Sequence, residues 1–184
     1  DKLKKISVVI PVYNSEDTIE KVVKGIEREI NSLKNNYDFE IILINDGSKD
    51  DVLKVCKNLS DKKSNIKLIN FSKNFGQHHA LMAGFEFVTG DYIVCLDDDL
   101  QTPPEEIHKL INKIEDTNFD VVYAKYLRRK HSQFRKFGSY INDIMAYLLI
   151  NKPKGIAHNS FFVAKTFVID EVLNYDGPYP YILG

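Results

Sequence analysis

Short β-branched runs that alternate with helical stripes constrain this chain more tightly than any other feature. Ile6-Ser7-Val8-Val9-Ile10 is closed by Pro11, and Phe39–Ile44, Ile66–Ile69, Tyr92–Leu96 and Phe119–Tyr123 repeat the theme. Unbroken apolar runs of this length are the signature of strands buried on both faces of a parallel sheet. Between them lie helical patterns. The first starts at about Glu16, with Ile19, Val22, Val23, Ile26 and Ile30 on one face and Ser15 or Asn14 as the expected cap. The next run from Asp50 to about Lys62 and from about Gly76 to Val88. Another is opened by Pro103-Pro104-Glu105-Glu106, with proline in the first turn and acids near the positive end. Strand and helix in alternation predict an α/β fold, Rossmann-like, with a mainly parallel central sheet flanked by helices.

Composition narrows the function classes. The chain has 184 residues, enough for one ordinary domain, and 43% hydrophobic with 28% charged residues excludes a disordered or fibrous chain. Lys+Arg 25 against Asp+Glu 26 leaves a net charge of -1, so no whole-molecule field for nucleic acid is expected. Cys56 and Cys95 form no CxxC pair and are expected as packing residues in a reducing compartment. No apolar run approaches the ~18 residues of a membrane span. The start at Asp1 without Met, and the end at Gly184, suggest a soluble part of something longer.

In parallel sheets ligands bind beyond the carboxyl ends of the strands. Tyr13 and Asn14, then Asp46, then Asp97, Asp98 and Asp99 all follow strands, so three loops should converge on one edge. Asp97 and Asp99 flank one residue, a spacing that suits Mg²⁺, which takes one or two carboxylates and completes its shell with phosphate and water. The alternative is a solvated acidic turn, but three adjacent carboxylates repel, which favours the metal. Asp46 lies in Asn45-Asp46-Gly47-Ser48, which reads either as a turn or as a carboxylate for a base or ribose. Glu16 and Asp17 favour a helix start, and Tyr13 offers a ring for base stacking. No GxGxxG, GxxxxGK[ST] or GxSxG segment occurs, which removes dinucleotide-binding, P-loop and hydrolase-elbow readings. Adjacent His78 and His79 cannot face one site from a helix and are expected at the surface or a helix start.

The pattern changes after Tyr123. Lys125, Arg128, Arg129, Lys130, Arg135 and Lys136 form a basic run without an acid. This is either a solvated loop or a grip for phosphate. Phe134, Phe137, Tyr140, Ile141, Ile144, Tyr147 and Leu148 follow as a helical stripe suited to packing on the sheet or to a membrane surface. A further strand is expected at Phe161-Phe162-Val163 and a short helix from Thr166 to about Leu173.

Val9–Glu16, Ile44–Asp50, Asn74-Phe75-Gly76-Gln77 and Asp97–Glu105, in that order, resemble family 2 glycosyltransferases over roughly the first 105 residues. The segment from Asp97 to Glu105 is most similar to the polyprenyl-phosphate branch, the dolichyl-phosphate mannose synthase and bactoprenol glucosyltransferase group. The resemblance implies a GT-A fold and one domain over 1–184, with a donor half at 1–105. The acceptor half at 106–184 would stop before a C-terminal membrane segment. It implies an inverting, metal-dependent transfer from a nucleotide-diphosphate sugar to polyprenyl phosphate at the cytoplasmic face of a membrane. Pro11, Tyr13, Asn14 and Glu16 would line the nucleotide pocket, with Asp46 on the base or ribose. Asp97 and Asp99 would bind Mg²⁺ or Mn²⁺, with Asp98 and Gln101 beside them. Catalysis would rest on Asp99 and on Arg128 and Arg135, the arginines facing the acceptor phosphate. Inside the fold, the rival is transfer to a saccharide hydroxyl, which needs a carboxylate base, with Asp143, Asp170 and Glu171 available. Outside it stand a phosphohydrolase, whose Asp-x-Asp usually follows the first strand, and an inactive nucleotide-sugar-binding module. One departure concerns Ser160-Phe161-Phe162: Phe162 stands where the branch has arginine, and Ser160 where some members have an acid. His158 is a candidate compensating phosphate contact.

Overall fold

The structure, a computed structural model, describes residues 3–33, 37–124 and 160–174, all within one compact unit. The expected alternation is present as β1 (Lys5–Val12), α1 (Ile19–Asn31), β2 (Asp38–Asn45), α2 (Val52–Lys62), β3 (Ile66–Asn70), α3 (Gln77–Phe85) and β4 (Tyr92–Cys95). A 3-10 turn (Pro104–Glu106), α4 (Ile107–Asp116), β5 (Val121–Tyr123), β6 (Phe162–Lys165) and α5 (Thr166–Leu173) complete the described elements. The basic run, the aromatic stripe and His158 lie outside the described residues.

The six strands form one sheet in the order β3-β2-β1-β4-β6-β5. β1 to β4 are mutually parallel, whereas β6 runs antiparallel to β4 and β5. From Ile6 to Val12 β1 is buried throughout, because helices cover both faces of the sheet. α1 turns Ile19, Val22, Val23, Ile26 and Ile30 inward, as its spacing requires. On α3, a Cβ at Gly84 would come within 2.7 Å of Val9 Cγ1 and 2.8 Å of Ile44 Cδ1, so this helix lies against the sheet at glycine distance.

Two helix starts differ from the sequence reading. Ser15 accepts backbone hydrogen bonds from Thr18 (3.1 Å) and Ile19 (3.0 Å), so residues 15–18 form a turn and α1 begins at Ile19 instead of Glu16. Thr18, not Asn14 or Ser15, occupies the N-cap position, and its hydroxyl donates to the Asp98 carbonyl at 2.6 Å instead of capping. After Pro103 the chain first makes the 3-10 turn, and α4 starts at Ile107.

Register places the carboxyl ends of β1, β2 and β4 on one edge, with Val12 beside Asn45 and Val9 beside Cys95. At the opposite end a buried carboxylate is fully paired. Glu40, 3% exposed, accepts from Ser7 Oγ at 2.7 Å and from the Thr89 amide and hydroxyl at 2.8 Å each. Lys67 lies 2.8 Å and Lys5 3.5 Å from its second oxygen. Burial alone would push this carboxyl up, but Lys67, Ser7 and Thr89 outweigh it and bring it down from 4.5 to about 2. A depressed carboxyl contributes stability at neutral pH that is lost as pH falls from 4.5 towards about 2. The contribution is on the order of 3 kcal/mol. We expect Glu40→Gln to lower stability at pH 7 by roughly this amount, and urea titrations should show the gap to wild type closing as pH falls from 4.5 towards about 2. A gap independent of pH would contradict the assignment.

Candidate active site

The sheet order reverses between β1 and β4, and at such a switch point the loops after the strands diverge and leave a crevice. Here the loops are tied together by hydrogen bonds between distant segments. Asn14, in the left-handed region at φ 51, donates its amide to Ser48 Oγ (3.1 Å) and accepts from the Lys49 amide (2.8 Å). The Glu16 amide donates to Asp50 (3.0 Å), and the Glu16 carboxylate accepts from the Asp51 amide (2.7 Å). These reciprocal bonds clasp the loop after β1 to the loop after β2. Tyr13 is left 44% exposed.

Asp46 is buried and uses both oxygens on the loop before α3. Oδ1 accepts from the Phe75 amide at 2.7 Å and Oδ2 from the Gly76 amide at 2.9 Å. Gly47, at φ 63, has the backbone of Lys73 so near that a Cβ would lie 2.3 Å from its carbonyl carbon. Both readings of this segment thus meet in one place. It is a turn, and its carboxylate organises a neighbouring loop; a base or ribose would have to use the lone pairs that the two amides leave.

The acidic triplet follows β4, and each member has a distinct environment. Asp97 is half-buried; Oδ1 accepts from Gln77 Nε2 at 3.0 Å and Oδ2 from the Ser160 hydroxyl. Asp98 accepts from the Tyr13 amide at 2.8 Å, bridging β1 and β4 across the switch point. Burial raises its carboxyl above the ordinary range, against the pull of the Tyr13 amide, and the charge of Asp99 adds to the rise. Asp99 is exposed and accepts from the Gln101 amide at 3.0 Å in a tight turn that places Leu100 at φ 61. Among the described residues no lysine or arginine pairs with any of the three. Nor do three or more His, Cys, Asp or Glu side chains converge on one point among them. Two carboxylates that no described lysine or arginine pairs with, held by neutral hydrogen-bond donors, fit a hard divalent cation that shares its shell with phosphate oxygens.

Tyr13, Asn14, Asp46, Asp97, Asp98, Asp99 and Gln101 therefore gather at one edge, with Glu16 in the clasp beside them. Pro11 is buried within β1, registered with Ile44. Arg128 and Arg135 lie outside the described residues. Two residues not singled out for the site belong to it, Gln77 and Ser160. Gln77 closes the Asn74–Gln77 segment, which was a usable signal, while Ser160 stood out only as a departure. Phe162 is 2% exposed, registered with Cys95, and its ring centroid lies 5.3 Å from that of Tyr123, so it is a core residue.

A sheet of this order with an acidic triplet at its switch point is the GT-A architecture. The chain belongs to glycosyl transferase family 2, which matches residues 7–173. It is 38% identical over 173 residues to undecaprenyl-phosphate 4-deoxy-4-formamido-L-arabinose transferase from Klebsiella pneumoniae (strain 342), covering 94% of this chain and 52% of the relative. The chain thus spans about half the length of the curated relatives it matches. Among solved structures it is similar to glucosyl-3-phosphoglycerate synthase from Mycobacterium tuberculosis in complex with UDP. There the TM-score is 0.67 at 20% identity, over 90% of this chain and 58% of that one. A mannosyltransferase from Pyrobaculum calidifontis in complex with GDP-Man and Mn²⁺ gives 0.64 at 19% identity, over 97% and 48%.

Replacing Asp46 by Asn turns an amide group towards one of the two backbone N–H donors and leaves that donor unsatisfied. We expect Asp46→Asn to cost about 2 kcal/mol and to speed hydrogen exchange at Phe75 and Gly76. Asp99→Asn, at an exposed side chain, should stay within ~0.5 kcal/mol of wild type. Equal stability of Asp46→Asn and wild type would show that the loop is not organised by this carboxylate.

Proposed function

We propose that this chain is the donor-binding and catalytic portion of an inverting, metal-dependent glycosyltransferase. It moves a sugar from a nucleotide-diphosphate sugar to a polyprenyl phosphate at the cytoplasmic face of a membrane. The observation that carries this reading is the acidic triplet at the switch point, which no described cation pairs with, flanked by the exposed Tyr13 and by clasped loops. The name of the Klebsiella pneumoniae relative supports the lipid-phosphate acceptor. The UDP, GDP-Man and Mn²⁺ complexes of the structural neighbours support the donor and a divalent ion.

Asp97 and Asp99 are the residues that would bind Mg²⁺ or Mn²⁺, which supplies charge neutralisation at the departing diphosphate. The chain's own residues set the frame. Tyr13 is tied to Asp98 through its backbone amide, the clasp through Asn14 and Glu16 fixes the first loop, and Asp46 fixes the loop that delivers Gln77. Direct attack by the acceptor oxygen on the anomeric carbon, opposite the leaving diphosphate, gives inversion.

A phosphate acceptor is already an anion and needs no strong base. This suits an edge where Asp46, Asp97 and Asp98 are each engaged by donors from other segments. Of the other acids considered as a base, Asp170 and Glu171 lie on α5, which opens at the far edge, where the Thr166 amide donates to the Asp91 carbonyl. We assign the acceptor phosphate to Arg128 and Arg135. In support, Ala124 and Phe161, which flank the segment carrying the basic run, meet at the site edge, where the Ala124 amide donates to the Phe161 carbonyl at 2.9 Å. On this reading 1–105 is the donor half and 106–184 the acceptor half of one domain.

Two outcomes test the proposal. Calorimetry should show nucleoside diphosphate binding that requires Mg²⁺ or Mn²⁺ and is lost in EDTA, with Asp99→Asn more damaging than Asp98→Asn. Asn at 98 still offers an oxygen to the Tyr13 amide. In the full-length protein, Arg128→Ala and Arg135→Ala should lower transfer to polyprenyl phosphate by about tenfold or more while donor affinity stays within about twofold. Unchanged rates with both variants, or turnover with saccharide acceptors alone, would replace the lipid-phosphate reading by the saccharide one.

A further inference from the structure

We propose that Ser160 and Gln77 are positioning residues for Asp97, fixing its carboxylate in the orientation in which it receives the divalent ion; this rests on the reading of Asp97 as a metal ligand. Of the three acids after β4, Asp97 is gripped at both oxygens by side chains from separate elements. Gln77 reaches it from the first residue of α3, 20 positions away in sequence, and Ser160 from the residues that lead into β6, 63 positions away. Asp98 instead accepts a backbone amide from the first loop, and Asp99 an amide of its own turn.

The chemistry of the two donors matters. An amide N–H and a hydroxyl are both neutral, so they orient the carboxylate without cancelling its charge. A carboxylate offers about four lone-pair positions, so one hydrogen bond at each oxygen leaves a position on each for a cation. A lysine or arginine in either place would compete with the ion for charge. Ser160 and Gln77 also come from elements that are held in place separately. Ser160 precedes β6, which pairs with β4 through Phe162 and Cys95, while α3 packs on the β1 and β2 side through Gly84. Each oxygen of the Asp97 carboxylate is therefore held by a donor from a different element. Groups that orient a metal-ligating carboxylate in this way are typically worth ten- to a hundredfold in metal affinity.

The test is Mn²⁺ titration of the chain followed by electron paramagnetic resonance, with Mn²⁺ alone as the probe, for wild type, Ser160→Ala, Ser160→Thr, Gln77→Ala and Asp99→Asn. Thermal unfolding is measured in parallel. We expect Ser160→Ala and Gln77→Ala to weaken Mn²⁺ binding about tenfold with a melting temperature near that of wild type, and Ser160→Thr, which keeps the hydroxyl, to restore affinity. In the full-length enzyme the loss should be recovered by raising Mn²⁺, so that it falls on metal requirement and not on maximal turnover. Wild-type or tighter affinity in Ser160→Ala and Gln77→Ala, with Asp99→Asn impaired, would overturn the positioning role and leave the metal site standing. No Mn²⁺ binding by wild type would overturn both. Equal loss in Ser160→Ala and Ser160→Thr would also count against it, because the hydroxyl would then not be the operative group.

Discussion

Three adjacent carboxylates at the end of a buried strand are costly, and the way that cost is met shapes the loops at this edge of the sheet. Charge brought out of water must be stabilised by hydrogen bonds or a counter-ion. Asp97, Asp98 and Asp99 solve this with neutral donors drawn from four places: α3, the approach to β6, the loop after β1, and their own turn. The first three of these donors each tie a separate segment to β4. The Tyr13 amide brings the first loop across the switch point, and the Thr18 hydroxyl, donating to the Asp98 carbonyl, brings the start of α1 with it. The triplet is therefore both a charged site and the anchor of the loops that surround it.

The two edges of the sheet handle negative charge in opposite ways. Glu40 is surrounded by Lys67, Lys5, Ser7 and Thr89, and its charge is compensated inside the protein. That arrangement stabilises the fold and leaves nothing for a ligand. At the triplet no described lysine or arginine pairs with the carboxylates, and on the proposed reading their field receives a divalent ion arriving with a phosphate-bearing substrate. On that reading a stability device and a binding device sit at opposite ends of the same strands.

Much of this was legible in the sequence, and the reasons are physical. Strands buried on both faces show as continuous apolar runs, so β1, β2 and β4 are visible without any partner. Side chains after parallel strands must emerge at one edge, so Tyr13, Asp46 and Asp97 could be grouped from order alone. Helix starts were less legible, because Ser15 and Thr18 are spent on a turn and on Asp98 and not on capping. The partners of Asp97 were least legible: contacts spanning 20 and 63 positions leave no periodic trace. Ser160 and Phe162 looked like paired losses from an acceptor site. In the fold they separate, Phe162 into the core against Tyr123 and Ser160 onto Asp97.

The central claim is that the loop after β4 binds a divalent ion together with a nucleoside diphosphate. Paramagnetic broadening by Mn²⁺ in the amide spectrum of this 184-residue chain tests it most directly. With Mn²⁺ and a nucleoside diphosphate present, the account predicts that signals from Asp97 to Gln101, with Tyr13, Gln77 and Ser160, broaden first. Those of Thr89 and Gly90 beside Glu40, at the far edge, should persist at the same Mn²⁺ level. Broadening centred on the Glu40 edge, or spread evenly over acidic surface residues with the Asp97–Asp99 loop unaffected, would contradict it.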